Sequence, residues 1–344
     1  LKVLFVGEKP SGSAPSWTLS KALSEHGVQS TFSGRSEVYD SSKWLKLVRA
    51  SDLLILVSYG GPDLFCLRQL AIAVALGRPV IRYWVGTDVL ICCQDASSRQ
   101  AAKILTSFTS ENLAVAFHLA EELLSCGIKA KVIPAVLSFQ KLKLDDRPKS
   151  IEKRILIYVP NHRKEFFGGS TVEKVIQTNP DMEFIMVGDR EQKWLAELPN
   201  VQNLGWAEDM NHVYSKVGCL LRITEHDGLP RMILEALGRG KYVIYNRFFP
   251  SCWQAVTLDE IQEKIDLFKN KTSLNYEGIE EVDRLFQDDP ILAFVSLITS
   301  ARHQGMIKRR LMGIIVTIWI SLLLKSKVFE SKILSLCSIF KRLQ

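Results

Sequence analysis

The sequence predicts an α/β protein built from two doubly wound parallel sheets. Three observations carry this. Short, continuous apolar runs alternate with helix-length patterns along most of the 344 residues. Unbroken apolar strands imply sheets covered by helices on both faces. A polar, charged segment at 138–152 interrupts the rhythm before it restarts, which divides the body into two halves of roughly 140 residues each.

In the first half, assigned to 1–137, Lys2–Val6 reads as a buried strand ending in a Gly-rich turn, and 17–25 as a helix closed by His26 and Gly27. Further strands are expected at 52–58, 79–84, 104–109 and 130–133. Helices are expected at 64–76, stopping at Gly77, and at 111–125. The segment 138–152, SFQKLKLDDRPKSIE, is largely polar and holds a proline, so it reads as a linker. In the second half, assigned to 153–289, strands are expected at 154–159, 183–187, 202–204, 218–223 and 242–245. Helices are expected at 171–177, 208–215, 231–237 and 258–268. Ligands bind such sheets beyond the carboxyl ends of the strands, so two facing halves should form a ligand cleft. A helix within 290–305 is expected to pack back on the first half, and 306–344 is a basic, apolar helical tail.

Composition narrows the class. Apolar residues make up 47% and charged residues 24%, which excludes a disordered or low-complexity chain. The net charge of +7 and pI near 9.0 first suggest nucleic acid, but the charge is not spread. Residues 302–344 hold nine basic residues against the single acid Glu330, a net of +8, so the rest of the chain is −1. The excess lies beside the apolar run 311–324, LMGIIVTIWISLLL, which points to a membrane surface rather than to nucleic acid. That run is short for a bilayer crossing. Monotopic attachment is the first reading. Docking on the first domain and a short or tilted span are the alternatives. The seven cysteines are odd in number and show no C-x2-C or Cys/His ligand spacing, so no metal site is expected and a reducing compartment fits. The opening strand-like run carries no signal-peptide pattern, and a cytoplasmic protein, peripheral on the inner face of a membrane, is expected.

The densest chemical signal is 222–245, RITEHDGLPRMILEALGRGKYVIY. A strand ends near Ile223. A polar loop with Glu225, His226, Asp227 and Gly228 follows, Pro230 stands where a helix can begin, and Glu235 lies inside that helix. The first-turn N–H groups favour an anion such as a phosphate, and Gly228 lets the backbone approach it. Two carboxylates set apart, Asp227 and Glu235, can accept hydrogen bonds from two parts of a polyhydroxylated ligand. A nucleotide sugar has those parts: sugar hydroxyls, a diphosphate and a ribose diol.

This stretch resembles the Glu-x7-Glu motif of retaining glycosyltransferases with the GT-B fold, family 4 in particular. The matching residues are Asp227-Gly228-Leu229-Pro230, then Leu234-Glu235-Ala236-Leu237, then Gly240-Lys241-Tyr242-Val243-Ile244, with Asp in place of the usual first Glu. The resemblance covers roughly residues 1–300; only the stretch 227–244 is highly specific. It implies two Rossmann-like domains facing a cleft and hexosyl transfer from a nucleotide-diphosphate sugar to a glycan or lipid-linked acceptor, with retention and without metal or cofactor. By the same resemblance Asp227 would face the donor sugar and Glu235 the ribose, with Gly228, Leu229 and Pro230 lining the donor. Phe184–Asp189 and Asn203-Leu204-Gly205-Trp206 resemble the segments near the nucleotide base, which makes Gly188 and Trp206 donor-side candidates. Trp206 either stacks on a base or belongs to the core. Arg163 and Lys164, on the first loop of the second domain, are candidates for stabilising charge on the leaving diphosphate; a solvated loop is the alternative. In the first domain, Gly12 and Ser13 are acceptor-side candidates, with an ordinary turn as the alternative, and Lys9 and Asp88 are weaker ones. Trp84–Asp88 resembles a segment where many relatives carry a His, and this chain has none there. His162 and His226 read as loop polar residues and His118 as structural. Two other readings of the same fold are a sugar-nucleotide epimerase and a non-catalytic membrane-bound partner protein.

Overall fold

The computed structural model describes residues 1–7, 14–57, 62–133, 150–191, 193–287, 289–301 and 306–325. Two compact units emerge, one from Leu1–Ser138 together with Asp289–Gln344, the other from Phe139–Asp288.

The first unit is a six-stranded parallel sheet. In chain order its strands are β1 (Lys2–Val6), β2 (Gln29–Ser33), β3 (Leu53–Val57), β4 (Val80–Trp84), β5 (Glu111–Ala114) and β6 (Lys131–Val132), arranged in space as β2-β1-β3-β4-β5-β6. Helices α1 (Pro15–Ser24), α2 (Arg35–Tyr39), α3 (Ser41–Ala50), α4 (Leu64–Ala75), α5 (Thr87–Gln94), α6 (Ala96–Thr106) and α7 (Phe117–Ser125) connect the strands. Every residue of β3 and β4 is buried, which is why both read as unbroken apolar runs with one exception, Arg82.

Two expectations here are corrected. The strand expected at 104–109 is the end of α6, which starts where the Asp95 side chain accepts from Ser98 N and buries Ala102, Ile104 and Leu105 on one face. The helix expected at 111–125 divides into β5, paired with β4 from Ile81↔Glu111 to Trp84↔Ala114, and α7, with the extended Ala116 at its start. Short apolar runs do not distinguish strand from buried helix by period, and pairing to β4 decides it.

The second unit repeats the plan. Its strands are β7 (Arg154–Tyr158), β8 (Glu183–Val187), β9 (Val201–Asn203), β10 (Cys219–Arg222), β11 (Tyr242–Tyr245) and β12 (Trp253–Gln254), all parallel, in the order β12-β11-β10-β7-β8-β9. Its helices are α8 (Gly169–Thr178), α9 (Met210–Ser215), α10 (Arg231–Gly238), α11 (Leu258–Lys269) and α12 (Tyr276–Leu285). Most of the expected linker lies outside the described residues, but its end does not behave as one. Ile151 is buried in this unit's core with Ile155, Phe268 and Cys219.

The chain then returns to the first unit. Asp289 caps α13 (Pro290–Ser300), whose Phe294 ring packs 5.4 Å from that of Tyr83. The last described helix, α14 (Met306–Lys325), lies on α4. Met312, Val316 and Ile320 enter the core beside Leu67, Leu70 and Val74. Gly313 permits this close approach, because a Cβ there would stand 2.7 Å from the Ala71 carbonyl oxygen. Arg310 Nε donates to Ala75 O at 3.2 Å and Arg68 Nε to Ser321 Oγ at 2.8 Å, fixing both ends. For 306–325 the alternative of docking on the first domain describes one face of α14, which is part of the domain core. Among the described residues no helix is long and apolar enough to cross a membrane.

Candidate active site

The carboxyl edge of the second sheet gathers the motif. Strand β10 ends in Arg222, and the loop behind it is tied down on both sides. Thr224 N donates to Asn246 Oδ1 at 3.1 Å, and Asn246 Nδ2 returns a bond to Thr224 O at 2.9 Å. Thr224 Oγ1 donates to His226 O at 2.9 Å and Glu225 N to Phe166 O at 2.9 Å, while Arg247 donates to Glu225 O. The loops after β7, β10 and β11 are thus held together. Gly168 is needed for that contact: its φ is +65°, and a Cβ would sit 2.3 Å from Ile223 Cγ2.

Asp227 is gripped by its own strand. Arg222 Nε and Nη2 both donate to Asp227 Oδ2, at 2.8 and 2.7 Å, and Gly228 N donates to Oδ1 at 3.2 Å. The two side chains are only 9% and 16% exposed. The guanidinium of Arg222 also lies over the rings of Phe167 (5.2 Å) and Tyr158 (5.7 Å), so aromatic faces as well as the carboxylate hold it in place. Gly228 and Pro230 are buried behind Asp227, and Leu229 is half-buried.

Helix α10 begins at Arg231, as expected. Pro230 is its N-cap, and its carbonyl accepts from Ile233 N and Leu234 N. No side chain caps the helix, so its first turn keeps the partial positive charge of an open N-terminus. Glu235, in the second turn, accepts from Arg231 Nε at 2.7 Å on one oxygen and from Tyr214 OH at 3.1 Å on the other. Burial, and then the Glu235 charge, push the Tyr214 phenol far up, so it remains a donor to Glu235. Arg239 closes the cluster. It lies over the Tyr214 ring at 4.9 Å and donates to the Glu235 carbonyl at 3.0 Å and to Asn211.

Beside this cluster a second polar knot joins the ends of β8 and β9. Asp189 is fully buried and accepts from Glu191 N (3.2 Å), Trp194 N (3.0 Å) and Asn203 Nδ2 (2.9 Å). Burial acts to raise this carboxyl, but these donors, with Asn161, outweigh it and hold it below the usual value of 3.8. Gly188 N donates to Gly205 O at 2.7 Å, so Gly188 serves the turn itself.

The other sequence candidates are placed as follows. Arg163 and Lys164 stand in two short 3-10 turns, Asn161–Arg163 and Glu165–Phe167, and at the join between them. Arg163 stacks on Phe166 at 3.8 Å, and Lys164 Nζ lies 4.2 Å over Trp194. Phe167 is shared by Arg163 (5.6 Å) and Arg222, which brings Arg163 and the arginine partner of Asp227 onto one aromatic platform. Trp206 is not a core residue: it is 55% exposed, with the Arg190 guanidinium 4.9 Å over its ring. Asp88, in the first unit, is 3% exposed. Its Oδ1 accepts from Val85 N (3.1 Å), Gly86 N (2.9 Å) and Val89 N (3.1 Å), which makes it the clamp of its own turn rather than an open contact. Gly12, Ser13 and Lys9 lie outside the described residues. Among the described residues, no group of three or more His, Cys, Asp or Glu could hold a metal ion. The sequence reading missed Arg222, Tyr214 and the Asp189–Asn203 knot. A basic residue ending the apolar run before the motif, and the i,i+4 spacing of Arg231 and Glu235, were signals for the two arginine pairings.

No family model and no curated protein matches the sequence. Solved structures do match. HepE from Anabaena, solved in complex with UDP, aligns over 87% of this chain and 100% of its own, with 16% identity and a TM-score of 0.64. Sucrose-phosphate synthase from Thermosynechococcus elongatus aligns over 87% and 98%, at 13% identity and TM-score 0.61. The pneumococcal O-GlcNAc transferase GtfA, in complex with UDP and GlcNAc, aligns over 77% of this chain and 61% of its own, at 9% identity and TM-score 0.54. The chain has the GT-B fold. The resemblance of 227–244 to the motif of that fold sits at the carboxyl edge of the second sheet, where a doubly wound sheet binds its ligand.

Proposed function

We propose that this GT-B chain is a glycosyltransferase that moves a hexosyl group from a nucleotide-diphosphate sugar to a hydroxyl of a glycan or lipid-linked acceptor in the cytoplasm, with retention, in the manner of family 4. The observation that carries the proposal is the loop and helix from Arg222 to Glu235, where two carboxylates flank a helix start that no side chain caps. A diphosphate placed on the first turn of α10 meets its N–H groups and dipole. Each carboxylate has about four acceptor sites, so Asp227 and Glu235 retain capacity for hydroxyl donors beside their arginine and tyrosine partners. Asp227 takes the sugar and Glu235 the ribose.

Charge on the departing diphosphate is assigned to Arg163, Lys164 and the helix start rather than to a metal ion. The acceptor hydroxyl attacks on the face from which the diphosphate leaves, and a donor phosphate oxygen takes its proton, so no protein nucleophile is required. Stacking on the base is assigned to Trp206, whose exposure supports that role. The complexes of HepE with UDP and with UDP-glucose, and of GtfA with UDP and GlcNAc, make uridine diphosphate sugars the donors to test first.

The test is sugar-nucleotide turnover with and without glycan or lipid-linked acceptors. Acceptor-dependent release of the nucleotide, reduced at least about 100-fold in Asp227→Ala and in Glu235→Ala, supports transfer; that ratio is about 2.7 kcal/mol of barrier. Acceptor-independent conversion of the sugar indicates an epimerase and contradicts it, as does full activity in both variants.

A further inference from the structure

Helix α14 is apolar on two opposite sides, and the core accounts for only one of them. Met312, Val316 and Ile320 face the first unit's core. On the far side Ile307, Leu311, Ile314, Ile315, Ile318 and Leu322 are all exposed, from Ile307 at 84% down to Ile315 at 39%. At about 100° per residue these six fall within roughly 100° of the helix circumference, a single stripe along a helix about 30 Å long. An aliphatic stripe of this length on a surface marks an interaction site.

We propose that this outward stripe is a docking surface for an anionic lipid bilayer, on which the first unit lies flat. Charge selects the occupant. Residues 290–329 contain six Lys or Arg and no Asp or Glu, and Lys308 is exposed at the start of α14. Cations beside an aliphatic stripe match lipid headgroups above an acyl layer. A second protein chain fits less well, because the stripe offers only aliphatic side chains, whereas the centres of protein interfaces are enriched in aromatic residues and arginine. The bonds of Arg310 to Ala75 O and Arg68 to Ser321 hold the opposite face on α4, so α14 meets the bilayer in its plane without leaving the domain. The surface is independent of the proposed transfer reaction.

The experiment is flotation of the full chain with vesicles of phosphatidylglycerol and phosphatidylcholine, and with phosphatidylcholine alone. Binding to the anionic vesicles is expected, weakened by salt, and reduced at least about tenfold in the triple variant Leu311→Ser, Ile318→Ser, Leu322→Ser. Lys308→Glu, a change at one exposed side chain that leaves the core intact, is expected to weaken binding to the anionic vesicles only. Three results overturn the proposal: no flotation of the parent chain, equal flotation of parent and both variants, or a dimer in solution that the triple variant abolishes while the parent ignores vesicles.

Discussion

The carboxyl edges of the two sheets use charge in opposite ways. At the edge of the first, Asp88 is shut in, and one of its oxygens accepts three N–H groups of its own turn. At the edge of the second, Asp227 shares its arginine with two aromatic rings, and it precedes a helix whose start no side chain caps. An aspartate beyond a strand end closes its own turn in the first unit, whereas in the second it stands, under the proposed function, where a ligand would bind. The difference lies in what the carboxylate closes: a turn in one case, one wall of an anion-attracting helix start in the other.

Removing Asp88 should have the largest effect on folding. Asp88→Ala strands the Val85 and Gly86 N–H groups, while Val89 N keeps its bond to Gly86 O, and a loss on the order of 3–5 kcal/mol is expected in urea unfolding. A loss below about 1 kcal/mol would place Asp88 among the open, ligand-facing acids. Arg222→Met keeps a side chain of similar reach on the Phe167 platform but leaves Asp227 without its main partner. A destabilisation of about 2–3 kcal/mol is expected, together with at least a tenfold loss of turnover. Unchanged turnover would make the pair purely structural, like the Asp88 clamp. The smallest effect belongs to the opposite edge of the second sheet. There Lys241, just before β11, has a buried Nζ with no hydrogen-bond partner among the described residues, and burial pushes it down to about 8. The folded chain prefers the neutral amine, so stability should rise as pH increases from about 8 towards 10.5. Lys241→Met should abolish that rise and stabilise the protein by about 1–2 kcal/mol at neutral pH.

The second unit was more legible in sequence than the first. Its strands are flanked by clear turn residues, and each expected element has a counterpart within a few positions. In the first unit β2 went unseen because QSTFS is a half-polar edge strand whose face alternates, and 104–125 was misassigned because its apolar runs fit either period. At the site, Asp227 and Glu235 could be read because their spacing and their neighbours form a pattern. The partners could not. Arg222 reaches Asp227 through a particular side-chain conformation, and Asp189 meets Asn203 only because β8 and β9 pair. The tail stayed open between attachment and docking because α14 is apolar on two sides, and composition does not say which side a core will take.

The claim that the edge of the second sheet is the donor site is tested most directly by titration calorimetry of the full chain with uridine diphosphate sugars. The account predicts saturable binding of at least one of them, weakened at least about tenfold, or 1.4 kcal/mol, by Glu235→Gln and by Asp227→Asn. Lys241→Met, on the opposite edge, should leave the affinity unchanged. Binding that is indifferent to both carboxylates would contradict it.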